Sequence, residues 1–232
     1  MDTLSNAMND NTLAKPQERA RLAVVVVTYN SAEVIGGLLD SLPLGLAGID
    51  DAEIVIVDNN SRDASVDIVA SHPVGARIVQ TGRNAGYAAA INAADATIDD
   101  GRHLLILNPD IRLRPDCALT LVRRLADPGV GLAVPQLLHE DGSIAHSLRR
   151  EPSLATAWSD SLLGTRAASW LSLGETVRDE RLYRGGGPVE WATGAALAVS
   201  AATRKAVGPW DESFFLYSEE VDYMDRVRRC GL

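Results

Sequence analysis

Residues Leu22-Ala23-Val24-Val25-Val26-Val27-Thr28-Tyr29-Asn30 decide the fold class, because an unbroken apolar run passes at once into polar residues. Such a run is typical of a strand buried on both faces of a parallel sheet. Glu53–Asp58 repeats the pattern. Apolar residues at helical spacing lie between these two strands, at Val34, Ile35, Leu38, Leu39 and Leu42, and Pro43 is expected to end that helix.

Strand and helix continue to alternate along the chain, which predicts an α/β fold with a mostly parallel central sheet flanked by helices. The further predicted strands are 76–80, 104–107, 130–135 and 189–200, and the further predicted helices are 64–71, 87–97, 115–125 and 219–229. Residues 1–20 are polar without apolar periodicity and are expected to form a flexible tail. Residues 21–232 are expected to form a single domain, in which 149–187 is an irregular insertion.

The composition excludes several classes of function. The net charge of −9 and the lack of clustered Lys and Arg argue against a nucleic-acid-binding groove and favour a small-molecule or sugar partner. The two cysteines, Cys117 and Cys230, lie far apart and indicate neither a disulfide framework nor a zinc site, so a cytoplasmic location is expected. No apolar run approaches the roughly 20 residues that a membrane-spanning helix needs.

Polar residues follow each of the first four predicted strands. The segments are Thr28-Tyr29-Asn30, Asp58-Asn59-Asn60-Ser61, Thr81-Gly82-Arg83-Asn84 and Asn108-Pro109-Asp110. Each segment alone has the composition of an ordinary turn or helix cap. Open α/β sheets bind ligands beyond the carboxyl ends of their strands, so the four segments together predict a binding site.

The residue types at these strand ends favour a pyrimidine nucleoside diphosphate. No Gly-x-Gly-x-x-Gly and no Gly-Lys-Ser/Thr segment is present, which excludes a dinucleotide fingerprint and a Walker loop. One carboxylate at a strand end can accept the imide N–H of uracil or thymine, and a second can hold a divalent cation against a diphosphate. Asp58 and Asp110 are the residues placed for these two roles.

The motifs, taken in order, resemble those of family 2 glycosyltransferases with the GT-A fold, a Rossmann-like nucleotide-diphospho-sugar transferase architecture. The segments that carry the resemblance are 24–30, 54–61, Asn84-Ala85-Gly86-Tyr87, 88–92 and 107–110. Later segments are similar to the rhamnosyltransferase-like branch: Asp141-Gly142-Ser143, Arg149-Arg150 with Pro152, Thr193-Gly194-Ala195 and 214–222. The resemblance extends from Leu22 to Leu232.

The resemblance implies an inverting enzyme that moves a sugar, with rhamnose as the first expectation, from a dTDP- or UDP-linked donor to a glycan or lipid-linked acceptor. It assigns Asp110 to Mg²⁺ or Mn²⁺ and Glu220 to the general base, with Glu219 and Asp222 as alternatives for the base. The residues that it places at the nucleotide are Thr28, Tyr29, Asn30, Asp58, Asn60, Arg83, Asn84 and Asn108, and those that it places at the acceptor are Trp191, Thr193 and Gly194.

Two alternatives stay open at this point. Family members usually continue past Gly231 with a further strand and a histidine that joins the metal site, so the resemblance implies a domain that stops before it is complete. The competing hypothesis is therefore an inactive nucleotide-sugar-binding fragment. The arginines of 149–187 are either solvated surface or a contact with a lipid diphosphate, which would give a peripheral position at the inner face of the plasma membrane.

Overall fold

A computed structural model of the chain describes residues 21–150 and 176–232. The expected tail, 1–20, and much of the expected insertion, 151–175, lie outside the described residues. The main sheet has six strands in the order β3-β2-β1-β4-β10-β5. Its strands are β1 (Arg21–Thr28), β2 (Asp51–Asp58), β3 (Arg77–Gln80), β4 (His103–Leu107), β5 (Leu132–Ala133) and β10 (Ala196–Val199).

The pairing of these strands brings the polar segments to one edge of the sheet. Strands β1, β2, β3 and β4 run parallel, and β10 runs antiparallel to β4. Thr28 lies beside Asp58 in the register of β1 and β2, and Asp58 lies beside Gln80 in the register of β2 and β3. The carboxyl ends of four parallel strands therefore meet at one edge, as the sequence predicts.

The core lies on both faces of this sheet because successive side chains of a strand point in opposite directions. In β1, Ala23, Val25 and Val27 pack on one side, and Leu22, Val24 and Val26 on the other. The first side is covered by α3 (Tyr87–Asp95) and α7 (Glu219–Arg229), and the second by α1 (Ile35–Gly45) and α4 (Cys117–Leu125). Burial on both faces explains why the residues of β1 from Leu22 to Val27 are all apolar.

The prediction that Pro43 ends the first helix is wrong, because α1 continues to Gly45 and Leu46 N–H still donates to Leu42 C=O at 2.8 Å. A proline in the last turn leaves the following hydrogen bonds intact, and the apolar side of α1 stays buried. The other predicted helices and strands are present, with bounds that differ by a few residues. The predicted strand 189–200 is two strands separated by the Thr193-Gly194 turn region.

Shorter elements complete the described part of the chain. The strands β6 (Leu137–Leu138) and β7 (Ile144–Ala145) form a hairpin, and β8 (Leu148–Arg149) pairs with β9 (Trp191–Ala192). The remaining helices are α2 (Ser65–Ser71), α5 (Glu180–Gly185) and α6 (Ala201–Val207). In the two described ranges, every helix is too short or too polar to cross a bilayer.

Candidate active site

The loop after β2 folds back on Asp58. This carboxylate is buried, and both of its oxygens accept the Ser61 N–H at 3.2 Å. Its backbone carbonyl accepts both the N–H and the hydroxyl of Thr81 at 3.1 Å. Asn60 has a left-handed backbone (φ 68°), which makes the sharp turn that brings Ser61 back to Asp58.

The end of β1 is tied to the same loop. Asn30, also left-handed at φ 51°, donates its N–H to Ser61 Oγ at 2.9 Å and accepts the Arg62 N–H on its side-chain oxygen at 2.8 Å. Thr28 is buried, and within the described part of the chain its hydroxyl oxygen makes no hydrogen bond. Tyr29 is 45% exposed. A buried hydroxyl without a partner, beside a buried carboxylate, offers a polar ligand two contacts in one place.

The connection from β3 to α3 adds the third segment. Asn59 is buried and donates from its side-chain amide to Gly86 C=O at 3.0 Å, while the Asn84 side-chain oxygen accepts the Gly86 N–H at 3.3 Å. Arg83 and Asn84 are exposed. We name Thr28–Asn30, Asp58–Ser61 and Thr81–Asn84 together the strand-end cluster.

The end of β4 lies between β1 and the antiparallel strand β10. Asn108 donates its N–H to Ala195 C=O at 2.9 Å and accepts the Ile111 N–H on its own carbonyl at 3.3 Å. The turn between these two bonds exposes Asp110 to solvent. The negative charge of Asp110 acts on Tyr87, so the β4 end and the start of α3 belong to the same site.

Tyr87, Gly194 and Glu220 meet next to this edge although they come from distant parts of the sequence. The Tyr87 hydroxyl donates to Gly194 C=O at 3.1 Å, and the Gly194 N–H lies 3.4 Å from Glu220 Oε1. Burial of the hydroxyl, reinforced by the charges of Glu220, Glu219 and Asp110, raises the pKa of Tyr87 above its ordinary value. We name Tyr87, Gly194, Glu219 and Glu220 the carboxylate cluster.

The three acidic candidates at the start of α7 have different surroundings. Asp222 forms an ion pair with Arg226 at 2.8 Å. Glu219 is 4% exposed, and one of its carboxylate oxygens has no hydrogen-bond partner among the described residues. Burial, with a contribution from the charge of Glu220, raises the pKa of Glu219. Glu220 is partly exposed and faces Gly194, so it combines access to solvent with a position beside Tyr87.

The loop before α7 is held against α3 and exposes apolar side chains. Phe215 C=O accepts the Tyr87 N–H at 3.2 Å, and a Cβ on Gly86 would lie 2.6 Å from that same carbonyl oxygen. Phe215, Leu216 and Tyr217 are 58%, 53% and 75% exposed. Tyr217 and Ser218 have consecutive left-handed backbones (φ 69° and 71°), which turn the chain into α7 immediately before Glu219.

The acceptor-side candidates separate in the structure. Gly194 belongs to the carboxylate cluster, and Thr193 donates its N–H to Ser147 C=O at 3.0 Å. Trp191 packs against the core and donates its ring N–H to Arg150 C=O at 2.8 Å. The polar edge of the Trp191 ring is therefore already used by a backbone carbonyl.

Sequence reasoning gave no role to Tyr87, Asn59, Thr81 or Ser61. Asn59, Thr81 and Ser61 lie within the polar segments that follow the strands, so their position was a usable signal. Tyr87 lies in a quoted motif, but its hydroxyl contacts Gly194, 107 residues away. No spacing in the sequence predicts a contact of that kind.

A divalent cation fits the oxygen donors of this edge only with help from a ligand. Across residues 21–150 and 176–232, no three His, Cys, Asp or Glu side chains form a ready metal cage. Asp110 is exposed at the turn after β4, on the side that faces Tyr87. Mg²⁺ is usually bound by one or two carboxylates, several waters and the phosphates of the substrate, and Asp110 meets that need.

The fold and the site together define an α/β transferase of the GT-A type. The family model for "Glycosyl transferase family 2" matches residues 23–205. The chain is 30% identical to the N-acetylglucosaminyl-diphospho-decaprenol L-rhamnosyltransferase of Mycobacterium tuberculosis, over 90% of this chain and 71% of that protein. A rhamnosyltransferase of Escherichia coli is 22% identical over 90% of this chain and 77% of its own length.

Solved structures agree on the architecture. A mannosyltransferase from Pyrobaculum calidifontis, in complex with GDP-Man and Mn²⁺, superposes with a TM-score of 0.62 at 22% identity, over 93% of this chain and 54% of that one. Staphylococcus aureus TarS (residues 1–349) in complex with UDP gives a TM-score of 0.60 at 16% identity, over 89% of this chain and 54% of that one. The chain thus spans about half the length of these two solved chains.

The chain belongs to glycosyltransferase family 2 and to its rhamnosyltransferase-like branch. It has the GT-A fold and belongs among the transferases.

Proposed function

We propose that this protein is an inverting, metal-assisted glycosyltransferase that moves rhamnose from a dTDP-linked donor to the hydroxyl of a glycan or lipid-linked acceptor. The observation that carries the proposal is the meeting of Glu220 with Tyr87 and Gly194 beside the edge that holds Asp58 and Asp110. The Glu220 carboxylate next to the polar groups of the strand ends supports the proposal.

The strand-end cluster would bind the nucleotide. Asp58 is buried beside the Thr28 hydroxyl, so a pyrimidine ring placed there would bring its imide N–H to a desolvated carboxylate. Asn30, Asn60 and Tyr29 lie at the rim of this pocket. The exposed Arg83 and Asn84 lie at the end of the neighbouring strand, where ribose or phosphate oxygens would meet them; Asn108 lies at the β4 end, next to Asp110. We assign UDP-linked donors the second rank, since uracil offers the same imide.

Asp110 would hold Mg²⁺ or Mn²⁺ together with the diphosphate. A divalent cation bound there supplies positive charge to the departing diphosphate. Asp110 is exposed at a turn fixed by the hydrogen bonds of Asn108, so its carboxylate is available for a ligand that arrives with the donor. The negative charge already present on Glu219 and Glu220 adds to the need for a cation on this side.

Glu220 would act as the general base. In a direct displacement, the acceptor O–H gives its proton to the carboxylate while the acceptor oxygen bonds to the anomeric carbon. The bond from that carbon to the diphosphate oxygen breaks at the same time, and the diphosphate leaves with the electron pair. Such proton transfer contributes on the order of 10²–10⁴-fold to the rate. Glu219 is buried and Asp222 is paired with Arg226, which makes both weaker candidates.

The acceptor would approach past Gly194 and the exposed loop 215–217. Gly194 lies directly against this part of the site, since the atoms nearest to a Cβ there would belong to Glu220 and Tyr87, at 3.7 and 3.8 Å. Rhamnose as the sugar and a lipid-linked acceptor rest on the printed activity of the mycobacterial relative. We extend this to a role in surface glycan synthesis on the cytoplasmic side of the membrane.

Calorimetric titration tests the donor site first. We expect dTDP to bind more tightly with Mn²⁺ than without it, and Asp110→Asn to reduce the metal-dependent affinity at least tenfold, which is about the effect of one charge-assisted contact. Asp100→Asn is the matched control, because it removes an equally exposed carboxylate near the opposite end of β4. If UDP binds more tightly than dTDP, the ranking of donors reverses.

Transfer is then measured with dTDP-L-rhamnose and N-acetylglucosaminyl-diphospho-decaprenol. Proton NMR of the product gives the configuration at the anomeric carbon, and retention would contradict the inverting mechanism. Donor binding without product, over the full set of donors and acceptors, would favour the inactive nucleotide-sugar-binding fragment.

A further inference from the structure

Tyr87 connects three parts of the site that are distant in sequence. Its backbone N–H donates to Phe215 C=O at 3.2 Å, in the loop that leads to Glu220. Its hydroxyl donates to Gly194 C=O at 3.1 Å, and the N–H of the same glycine is directed at Glu220 Oε1. Its ring packs against the core and lies 3.8 Å from the position that a Cβ on Gly194 would take.

We infer that Tyr87 is a positioning residue for the base, and that its hydroxyl holds the Gly194 peptide so that the N–H faces the Glu220 carboxylate. This inference rests on the proposed function, in which Glu220 takes the acceptor proton. Tyr87 acts on the base through Gly194 and needs no contact with a substrate.

The geometry explains why a hydroxyl at this point matters. A hydrogen bond to the Gly194 carbonyl fixes the orientation of a residue that has no side chain to fix it and a backbone that turns freely. The Gly194 N–H lies 3.4 Å from Glu220 Oε1, which is long for an N–H···O bond. Contacts of this kind often tighten when the substrate binds. Loss of the hydroxyl would let the peptide turn away before that happens.

The Gly194 N–H is a neutral donor among negative groups. Glu219 precedes Glu220 on α7, Asp110 lies across the site on the β4 turn, and both act on Tyr87 together with Glu220. A carboxylate can accept a peptide N–H in such surroundings without a further charge nearby. Loss of the Tyr87 hydroxyl would leave Glu220 Oε1 without a fixed partner at Gly194.

Tyr87→Phe is the direct test, because it removes only the oxygen atom. With dTDP-L-rhamnose and N-acetylglucosaminyl-diphospho-decaprenol, we expect kcat to fall about fivefold, the size of one neutral hydrogen bond. We expect the Kd for dTDP to stay unchanged and the urea midpoint to fall slightly, because the Gly194 carbonyl loses its hydrogen-bond donor.

Tyr183→Phe is the matched control. Tyr183 is a buried tyrosine of the same core, and its hydroxyl donates to Val177 C=O and accepts the Leu148 N–H, both at 3.0 Å. Tyr183→Phe therefore removes two hydrogen bonds, neither of them to Gly194 or Glu220. We expect this variant to lower the urea midpoint at least as much as Tyr87→Phe and to keep its kcat. An equal fall of kcat in both variants would reduce the role of Tyr87 to stability alone and overturn the inference.

Amide hydrogen exchange at the Gly194 N–H separates this inference from the proposed function. We expect this N–H to exchange faster in Tyr87→Phe than in the native chain and in Tyr183→Phe, because the Gly194 peptide is no longer held. Unchanged exchange overturns the inference whether or not the enzyme turns over. Faster exchange in a protein that transfers no sugar under any condition supports the positioning contact and counts against the proposed function.

Discussion

The strand-end cluster and the carboxylate cluster lie side by side, but they are built differently. The first is closed by hydrogen bonds within one turn, such as the Ser61 N–H to Asp58, and between the turns that follow adjacent strands, such as the Arg62 N–H to Asn30. The second joins α3, the segment before β10 and α7 through bonds such as that between Tyr87 and Gly194. It also contains a buried Glu219 oxygen without a described partner.

This difference separates two kinds of preorganisation. The strand-end cluster owes its shape to the turns that follow adjacent strands, so a change in one residue should alter nucleotide binding or the stability of those turns. The carboxylate cluster owes its shape to the packing of three elements, so a change there should alter turnover while leaving the nucleotide pocket intact. Four predictions test this separation.

The largest effect is expected for Glu220→Gln. Loss of the base should lower kcat by about 10²–10⁴-fold and leave the Kd for dTDP unchanged, because the nucleotide is held by the other cluster. The measurement is steady-state transfer together with calorimetry. Asp225→Asn is the control, since it removes a carboxylate from the same helix that pairs with Arg229 instead of facing the site. A Kd that weakens in parallel with kcat would mean that the two clusters are one unit.

Gly86→Ala should break the contact between α3 and the loop before α7. Gly86 has φ 92° and ψ 173°, a conformation that costs a residue with a Cβ about 1–3 kcal/mol, and the new Cβ would press on Phe215 C=O at 2.6 Å. We expect lower unfolding free energy in urea and lower kcat.

Gly75→Ala isolates the contribution of that contact. Gly75 also has a positive φ, 71°, but a Cβ there would meet nothing within 4 Å, and it lies outside both clusters. It should lose stability through its backbone alone and keep its turnover. Equal losses of kcat in both variants would show that the Phe215 contact has no part in holding the base.

Asp58→Asn should weaken dTDP binding about tenfold and lower the unfolding free energy by about 1–3 kcal/mol, because the buried side chain loses its charge and one of the two oxygens that accept the Ser61 N–H. Calorimetry and urea unfolding give the two quantities.

Asp63→Asn is the comparison for that variant, since Asp63 also accepts backbone N–H groups in this loop, from Ala32 and Ser65. It should lose stability without losing nucleotide affinity. Full dTDP affinity in Asp58→Asn would remove Asp58 from the proposed pocket.

The smallest effect concerns Glu219 and is a dependence of stability on pH. Because burial raises the pKa of this carboxyl above its ordinary value of 4.5, the unfolded chain releases the proton at lower pH than the folded chain. The contribution of Glu219 to the free energy of unfolding is therefore greatest below that value and is lost as the pH rises through the folded-state pKa. Glu219→Gln should remove this loss.

Urea unfolding of Glu219→Gln and of the native chain at pH 4 and pH 8 measures this pH dependence. The stability of Glu219→Gln relative to the native chain should rise between these two pH values. A relative stability that is constant or decreases would contradict the raised pKa and imply that Glu219 is paired in the folded protein.

Much of the fold was predictable because local patterns fix it. The apolar runs Leu22–Val27 in β1 and Ile54–Val57 in β2 predicted a sheet buried on both faces, and the helical period predicted α7 at Glu219–Arg229 as observed. The prediction of one strand over 189–200 was wrong because Thr193 and Gly194 interrupt it at the site, where Gly194 lies against Glu220. The prediction that Pro43 ends α1 was wrong because this proline lies in the last turn of the helix, where it destabilises the helix little.

The site divides in the same way. The strand ends follow from the sequence because a polar residue after an apolar run must lie at the carboxyl edge of a parallel sheet. The different environments of Glu219, Glu220 and Asp222 do not follow from it, since four residues of one helix turn give no information about what packs against each face. Their contacts distinguish the three: Glu220 faces Gly194 and Asp222 pairs with Arg226. Glu219 is the one that is buried.

The sequence by itself determined that this chain is an α/β protein of glycosyltransferase family 2. Buried parallel strands and the motifs that follow them can be recognised from residues that are neighbours along the chain. The tertiary structure alone decided which carboxylate faces the site and that Tyr87 reaches it. Those facts depend on contacts across 107 residues for Tyr87 and Gly194 and across 26 for Gly194 and Glu220. The packing of helices on a sheet sets such contacts, and no periodicity along the chain encodes them.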